Sequence, residues 1–198
     1  MYPNSLKELI DSLKYLPGVG EKTAERYAFS LINQDEEKVE VLSEAILKAK
    51  KDIKRCSICN GLTDKDKCDI CTDKSRDNNV LCVVEDPKSV FIFEKLGAFK
   101  GLYHVLSGLI SPLDGVSPND IGLDKLIERI RKEKYKEIIL AFKPSIEGET
   151  TSLYIKRVLD GLDINITKIA SGIPMGADME YIDTITLERA LKDRKTVE

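Results

Sequence analysis

Between residues 5 and 16 the apolar positions Leu6, Leu9, Ile10 and Leu13 recur at helical spacing, and Pro17-Gly18-Val19-Gly20 then stops the pattern. A second helix is predicted to follow, with Ala24, Tyr27, Ala28 and Leu31 on one face. A third is predicted over residues 35–53, carrying Val39, Leu42, Ala45, Ile46 and Ala49 inward and ending in Lys50, Lys51, Lys54 and Arg55. The first quarter of the chain is therefore expected to be all-helical. Beyond a polar linker at residues 73–79 the character changes to short β-branched runs alternating with amphipathic helices, which signals a parallel α/β sheet. Strands are expected at 80–84, 102–106, 137–142 and 164–170. Helices are expected near 87–96, 118–132 and 148–159, the middle one with Ser117 as N-cap and Pro118 at its first position. A last helix is expected over about 184–194, and there is no internal repeat or low-complexity tract.

Composition narrows the class. A chain of 198 residues with 42% hydrophobic content can bury one core plus a smaller module, or two small domains. Its 33% charged residues carry both signs and leave a formal net charge of -3, so the molecule as a whole does not attract nucleic acid, and any DNA site must be a local basic patch. No run of about eighteen apolar residues occurs, and Met-Tyr-Pro-Asn-Ser opens without a charged-then-apolar pattern. The expectation is a cytoplasmic protein with no membrane association. In that compartment five cysteines read as metal ligands or buried thiols before disulfides.

Their spacing decides between these. Cys56-Ser-Ile-Cys59 and Cys68-Asp-Ile-Cys71 are two C-x2-C knuckles separated by a short polar loop containing Gly61, Thr63, Asp64 and Asp66. Two such turns supply four thiolates to one tetrahedral zinc, about 2.3 Å from each sulfur. A closed site leaves no position for water, so one structural Zn2+ per chain is expected. A redox C-x-x-C pair is the competing reading, and the second knuckle argues against it. Cys82 stands apart in a predicted strand and reads as a small core residue.

The segment Leu16-Pro17-Gly18-Val19-Gly20-Glu21-Lys22-Thr23-Ala24 resembles the helix-hairpin-helix motif of DNA-binding proteins that read no sequence. Gly18 and Gly20 let the backbone turn sharply and approach a phosphate, while the N–H groups opening the next helix form an anion site. Lys22 and Arg26, four residues apart, share a helix face and could add two phosphate contacts. The plain alternative is a helical corner with solvated charges. A dinucleotide loop is poorer, since no strand precedes the glycines and Thr23 stands where a third glycine or alanine belongs.

Leu81-Cys82-Val83-Val84-Glu85-Asp86-Pro87 is similar to the first strand and turn of the Toprim domain of topoisomerases and primases, and Ala141-Phe142-Lys143-Pro144-Ser145-Ile146-Glu147-Gly148-Glu149 resembles its metal-binding segment. In active members, the resemblance implies, a glutamate and two aspartates hold magnesium for phosphoryl chemistry. Here Glu85 keeps the glutamate position, but Lys143 and Ser145 replace the aspartates, so a strong magnesium site is not expected.

Hairpin, four-cysteine site and altered Toprim segment in this order are similar to the RecR family of bacterial recombination mediators. Further matching segments are Tyr103-His104-Val105-Leu106-Ser107-Gly108, Ser111-Pro112-Leu113-Asp114-Gly115 and Ser171-Gly172-Ile173-Pro174-Met175-Gly176. The resemblance implies an α+β multi-module chain: a helix-hairpin-helix domain (1–55), a zinc finger (56–71), a Toprim α/β domain with a parallel sheet (79–174) and a C-terminal oligomerisation segment (175–198). It implies a nucleoid-associated, non-enzymatic protein that binds single-stranded, duplex or gapped DNA. Such a protein forms a homo-oligomer, from dimer to tetrameric ring, and works with RecO and RecF to load recombinase at gaps. Glu85, Glu147 and Glu149 are the residues expected to face a partner, or else to be solvated charges at strand ends. The enzyme-class rival is a magnesium-dependent nuclease or topoisomerase-like protein, and a second rival is a zinc-containing adaptor that never touches DNA. His104, the sole histidine, has no nucleophile motif beside it and reads as structural or surface.

Overall fold

The computed structural model describes residues 2–170, 172–194 and 196. Ser171 of one matching segment, and residues 195, 197 and 198 of the expected C-terminal segment, lie outside the described residues. The chain divides into two compact units, Met1–Ile53 and Lys54–Glu198.

The first unit is helical, with α1 at Asn4–Leu13, α2 at Glu21–Ile32 and α3 at Glu36–Asp52. Helix α1 presses Leu6 and Ile10 onto Ala24 and Ala28 of α2, and Leu9, Leu13 and Val19 pack around them. The two alanines let the helices approach closely at the turn between them. That turn needs Gly18, whose φ of 80° lies in the left-handed region, whereas Gly20 is extended, at φ -85° and ψ 176°. Helix α3 departs from the sequence expectation. None of its residues is buried, and Leu42 and Ile46, expected to face inward, are exposed. Its apolar stripe is real, but within this unit nothing covers it.

The second unit opens on a two-residue antiparallel pair, β1 (Lys54–Arg55) with β2 (Leu62–Thr63), and a short helix α4 (Asp69–Thr72). A four-stranded parallel sheet follows, in the order β4-β3-β5-β6: β3 is Asp77–Val84, β4 Gly101–Val105, β5 Glu137–Ala141 and β6 Asn165–Lys168. The connecting helices are α5 (Pro87–Leu96), α6 (Leu123–Lys132) and α7 (Ile146–Val158). Sheet and helices bury one large cluster that includes Leu81, Val83, Leu106, Leu126, Ile138, Leu140 and Ile155, and a smaller one on the opposite sheet face around Cys82, Val84, Val90 and Tyr103. Burial on both faces is what near-continuous apolar strands require. Cys82 is buried as expected.

The helix expected from Pro118 begins only at Leu123. Asp120 accepts hydrogen bonds from the Ser117 amide (2.8 Å) and hydroxyl (2.6 Å), and Gly122 sits at φ 72°, so residues 117–122 form turns and Ser117 is not the cap. Ser145 caps α7 instead, accepting from the Gly148 amide at 3.2 Å, and that helix starts two residues earlier than predicted. At Gly148 a Cβ would collide with the Lys143 carbonyl, so the tight entry into α7 requires glycine. The chain closes with α8 (Thr184–Lys192), capped by Asp183. Among the described residues no helix is long and apolar enough to cross a membrane.

Candidate functional site

The four-cysteine cluster is assembled by backbone geometry before any metal is considered. Asn60 takes a left-handed φ of 60°, closing the first knuckle so that the Cys56 amide donates to the Gly61 carbonyl at 2.8 Å and the Asn60 amide to the Cys56 carbonyl at 3.0 Å. The sulfurs of Cys56, Cys59, Cys68 and Cys71 all lie within 4.8 Å of one another, and those of Cys59 and Cys68 are 3.6 Å apart. A tetrahedron with arms of about 2.3 Å has edges of about 3.8 Å, so one zinc ion fits with little adjustment. The donor chemistry also fits. The Gly61 amide reaches the Cys59 sulfur at 3.4 Å and the Cys68 amide the Cys56 sulfur at 3.3 Å, contacts that favour thiolates and orient them. Hydrogen bonding from Cys59 and Cys71 holds the Cys68 thiol down, while the hydrogen bond to Cys68 pushes Cys59 up. Four thiolates this close need a dication between them.

The finger also protects the sheet. Strand β4 is an edge strand, and its Val105 amide donates to the Cys59 carbonyl at 2.8 Å while the Asn60 side-chain amide donates to the Val105 carbonyl at 2.8 Å. The first knuckle thus occupies both backbone groups of Val105, at the end of an edge through which an open strand would pair with another chain. Nothing in the sequence pattern announced this contact, which joins residues 45 apart.

At the carboxyl end of the sheet lies a crevice of about 570 Å³ holding Glu85, Asp86, Asp114, Asp120, Lys143 and Glu147. Glu85 accepts from the Lys143 backbone amide at 3.1 Å. The Ser145 hydroxyl, hydrogen-bonded to the Glu147 carboxyl, holds that carboxyl below its ordinary range. Glu85 and Glu147 therefore share one crevice. Glu149 does not join them; it pairs with Lys168 at 3.0 Å, in a separate small cavity beside Pro144 and Ile169.

In the helical unit, Lys22 and Arg26 are both on the outer side of α2, and among the described residues neither forms an ion pair. Arg26 lies over the Tyr27 ring, 5.4 Å from its centroid. The N-cap Gly20 offers no side-chain acceptor, which leaves the first amides of α2 open to an anion. Glu21 would repel one, but Lys14 pairs with it at 2.6 Å.

Family models match along the whole chain: "RecR, helix-hairpin-helix" over residues 6–50, the RecR four-cysteine zinc finger domain over 53–73, "Toprim domain" over 79–170 and "RecR, C-terminal" over 172–195. A "Recombination protein RecR" of Natranaerobius thermophilus is 46% identical over 194 residues, covering 98% of both chains. The chain belongs to the RecR family. A second RecR, from Desulfatibacillum aliphaticivorans, is 48% identical over 193 residues, covering 98% of this chain and 97% of its own. In RecR terms the four-cysteine cluster is the zinc finger, with one structural zinc bound by four thiolates, and the sheet is the Toprim domain. His104, the residue that sequence reasoning left between structural and surface roles, is buried in β4 at 3% exposure. Desolvation, with Arg129 and Lys125 nearby, pushes its pKa down to about 3, which keeps the imidazole neutral.

Proposed function

We propose that the chain is a non-catalytic mediator of recombinational DNA repair in the cytoplasm, which binds DNA through its hairpin and works with RecO and RecF to load recombinase onto single-stranded DNA at gaps. The observation that carries DNA binding is the hairpin: a left-handed Gly18, an uncapped α2 N-terminus, and Lys22 and Arg26 without carboxylate partners among the described residues. Two side-chain contacts release few counterions, so one copy binds weakly. An oligomer multiplies the contact by raising the effective concentration of each later hairpin. Support for a homo-oligomer comes from the uncovered apolar residues of α3 and from Met175, Tyr181 and Leu191 near the C-terminus, all exposed. The same reading divides the modules at 1–55, 56–71, 79–174 and 175–198.

The Toprim crevice serves as a docking surface for protein partners, with Glu85 and Glu147 facing them from within it and Glu149 from the neighbouring small cavity. Catalysis is disfavoured because Lys143 and Ser145 stand at the two aspartate positions and Glu85 is engaged by the Lys143 amide. A magnesium-dependent nuclease or topoisomerase-like activity is the rival, since several carboxylates do share this crevice. Calorimetry separates the two. Lys143→Asp with Ser145→Asp should bind magnesium more tightly than the parent, and equal or weaker binding shows that this segment does not occupy the metal-binding position.

The decisive experiment is an anisotropy titration with labelled single-stranded and gapped DNA across salt. Lys22→Glu with Arg26→Glu should abolish binding and flatten the salt slope, while zinc content and oligomer mass stay at parental values. Charge reversal at Lys50, Lys51, Lys54 and Arg55 is the control. If that variant loses DNA and the hairpin variant keeps it, the hairpin assignment is wrong.

A further inference from the structure

A second charged cavity, of about 560 Å³, lies beside β4 within the α/β unit. Arg55 from the first cysteine knuckle and Lys125, Arg129 and Lys132 from α6 line it, with His104 from β4. Four cationic side chains face two carboxylates, Glu128 and Glu133, and Arg129 already engages Glu133 at 3.3 Å. Among the described residues Arg55, Lys125 and Lys132 form no ion pair. A cleft of net positive sign in a chain of net charge -3 concentrates an attraction that the rest of the surface lacks.

Two of the cations are held in place. Arg55 donates to the Asn60 carbonyl at 3.0 Å, which ties it to the knuckle that the zinc fixes. Arg129, 8% exposed, donates to the Tyr103 carbonyl at 2.7 Å and stacks over Tyr135 at 5.8 Å. Guanidinium groups fixed in this way lose little freedom on binding, and their forked donors match the oxygens of a phosphate. His104 supplies an independent sign that something is missing. It is nearly fully buried, it lines the cavity, and its Nδ1 has no hydrogen-bond partner among the described residues. Buried polar atoms are paired in the great majority of cases, so an unpaired imidazole nitrogen in the wall of this cavity marks a place where a polar partner is missing.

We propose that this cleft is a phosphate-binding site, in which Arg55, Lys125 and Lys132 contact the phosphate oxygens beside the fixed Arg129 and the buried His104. The cavity falls in the size range of small-ligand sites, so it admits a nucleotide as well as a phosphodiester at its mouth. The phosphate comes either from a nucleic-acid backbone or from a free nucleotide. The first source rests on the DNA-binding reading above, and the second does not.

The test uses the zinc-loaded full chain. Calorimetric titrations with pyrophosphate and with ATP, and anisotropy titrations with a labelled single-stranded oligonucleotide across salt, are run on the parent, on Arg55→Ala with Lys132→Ala, and on Lys125→Gln with Lys132→Gln. The second variant leaves the zinc knuckle untouched, so that loss of binding in it is not loss of the finger. Both should keep parental zinc content. If free nucleotide is the ligand, ATP and pyrophosphate bind the parent, and both variants weaken them about tenfold or more without changing oligonucleotide affinity. If nucleic acid is the ligand, both variants lower the salt slope for the oligonucleotide by about one to two while the hairpin residues are intact. The proposal is overturned if the parent binds neither pyrophosphate nor ATP and the variants match its oligonucleotide slope, or if the variants bind every probe as the parent does. A hairpin variant that keeps DNA would sink the hairpin reading alone, because it leaves these cleft residues unchanged.

Discussion

Among the described residues of the helical unit the buried side chains are Leu6, Ile10, Ala24 and Ala28, and two of these four are alanines. In the α/β unit a parallel sheet is buried on both faces, with Leu81, Leu106, Leu126, Ile138 and Ile155 among the side chains sealed from solvent. Both units carry helices with clear apolar stripes, yet α6 buries Leu123, Leu126 and Ile130 and α3 buries nothing. An apolar stripe therefore records what a helix is able to bury, and the neighbours decide whether it does. The α/β unit builds a large core of its own while leaving residues such as Phe91, Ile92 and Met175 exposed, whereas the helical unit leaves α3 with no buried residue. The zinc finger is a third solution, in which four sulfurs and Ile58 and Ile70 stand in for a core and metal binding supplies the folding energy.

The largest test of this contrast is at the finger. Cys68→Ala should reduce zinc from about one per chain to almost none and remove stability on the order of 10 kcal/mol from the finger, read by metal analysis and by melting under reducing conditions. A finger held mainly by its few apolar contacts would lose only about 1–3 kcal/mol and keep its metal, and that result would falsify the metal-for-core reading.

Within the α/β unit, burial of His104 sets a pH dependence. Its folded pKa is lowered to about 3 from an ordinary value near 6.5, so between these limits the unfolded chain holds more protons than the native one. Stability from this group is complete above about pH 6.5 and is lost as pH falls towards 3, by something on the order of 3–5 kcal/mol. Denaturant titrations from pH 7 to pH 4 should show a smaller loss for His104→Phe than for the parent. Equal slopes for the two would mean that the imidazole is not desolvated in the native state.

The smallest expected effect on the isolated chain is the sharpest for the helical unit. Ile46 is 61% exposed, so Ile46→Glu should change the stability of a monomer by no more than about 0.5 kcal/mol. If another copy covers α3, the same substitution should shift light-scattering mass to a smaller species. Unchanged mass would show that α3 is not the contact, and the helical unit would need another explanation for its uncovered face.

Several features were legible because their determinants are local. The C-x2-C knuckles placed four thiolates at one point, since a four-residue turn converges two sulfurs whatever surrounds it. Alternation of β-branched runs and amphipathic helices located all four parallel strands to within a few residues, and α5 at Pro87–Leu96 falls where it was expected. Gly18 turns as its sequence context required, because only a left-handed residue joins α1 to α2 at that corner. Other features depended on partners far along the chain. Periodicity marked Leu42 and Ile46 as apolar but could not say that nothing covers them. The Ser117-Pro118 cap signal lost to Asp120 and a left-handed Gly122, a competition that propensity alone does not rank. Three acidic residues read as one group were separated when Lys168, from β6, drew Glu149 away from the crevice of Glu85 and Glu147. The sealing of β4 by Cys59 and Asn60, the burial of His104, and the gathering of Arg55 with Lys125, Arg129 and Lys132 were decided only by the tertiary structure. Local sequence sets which face of an element is apolar or charged; which faces meet is set by packing between elements tens of residues apart.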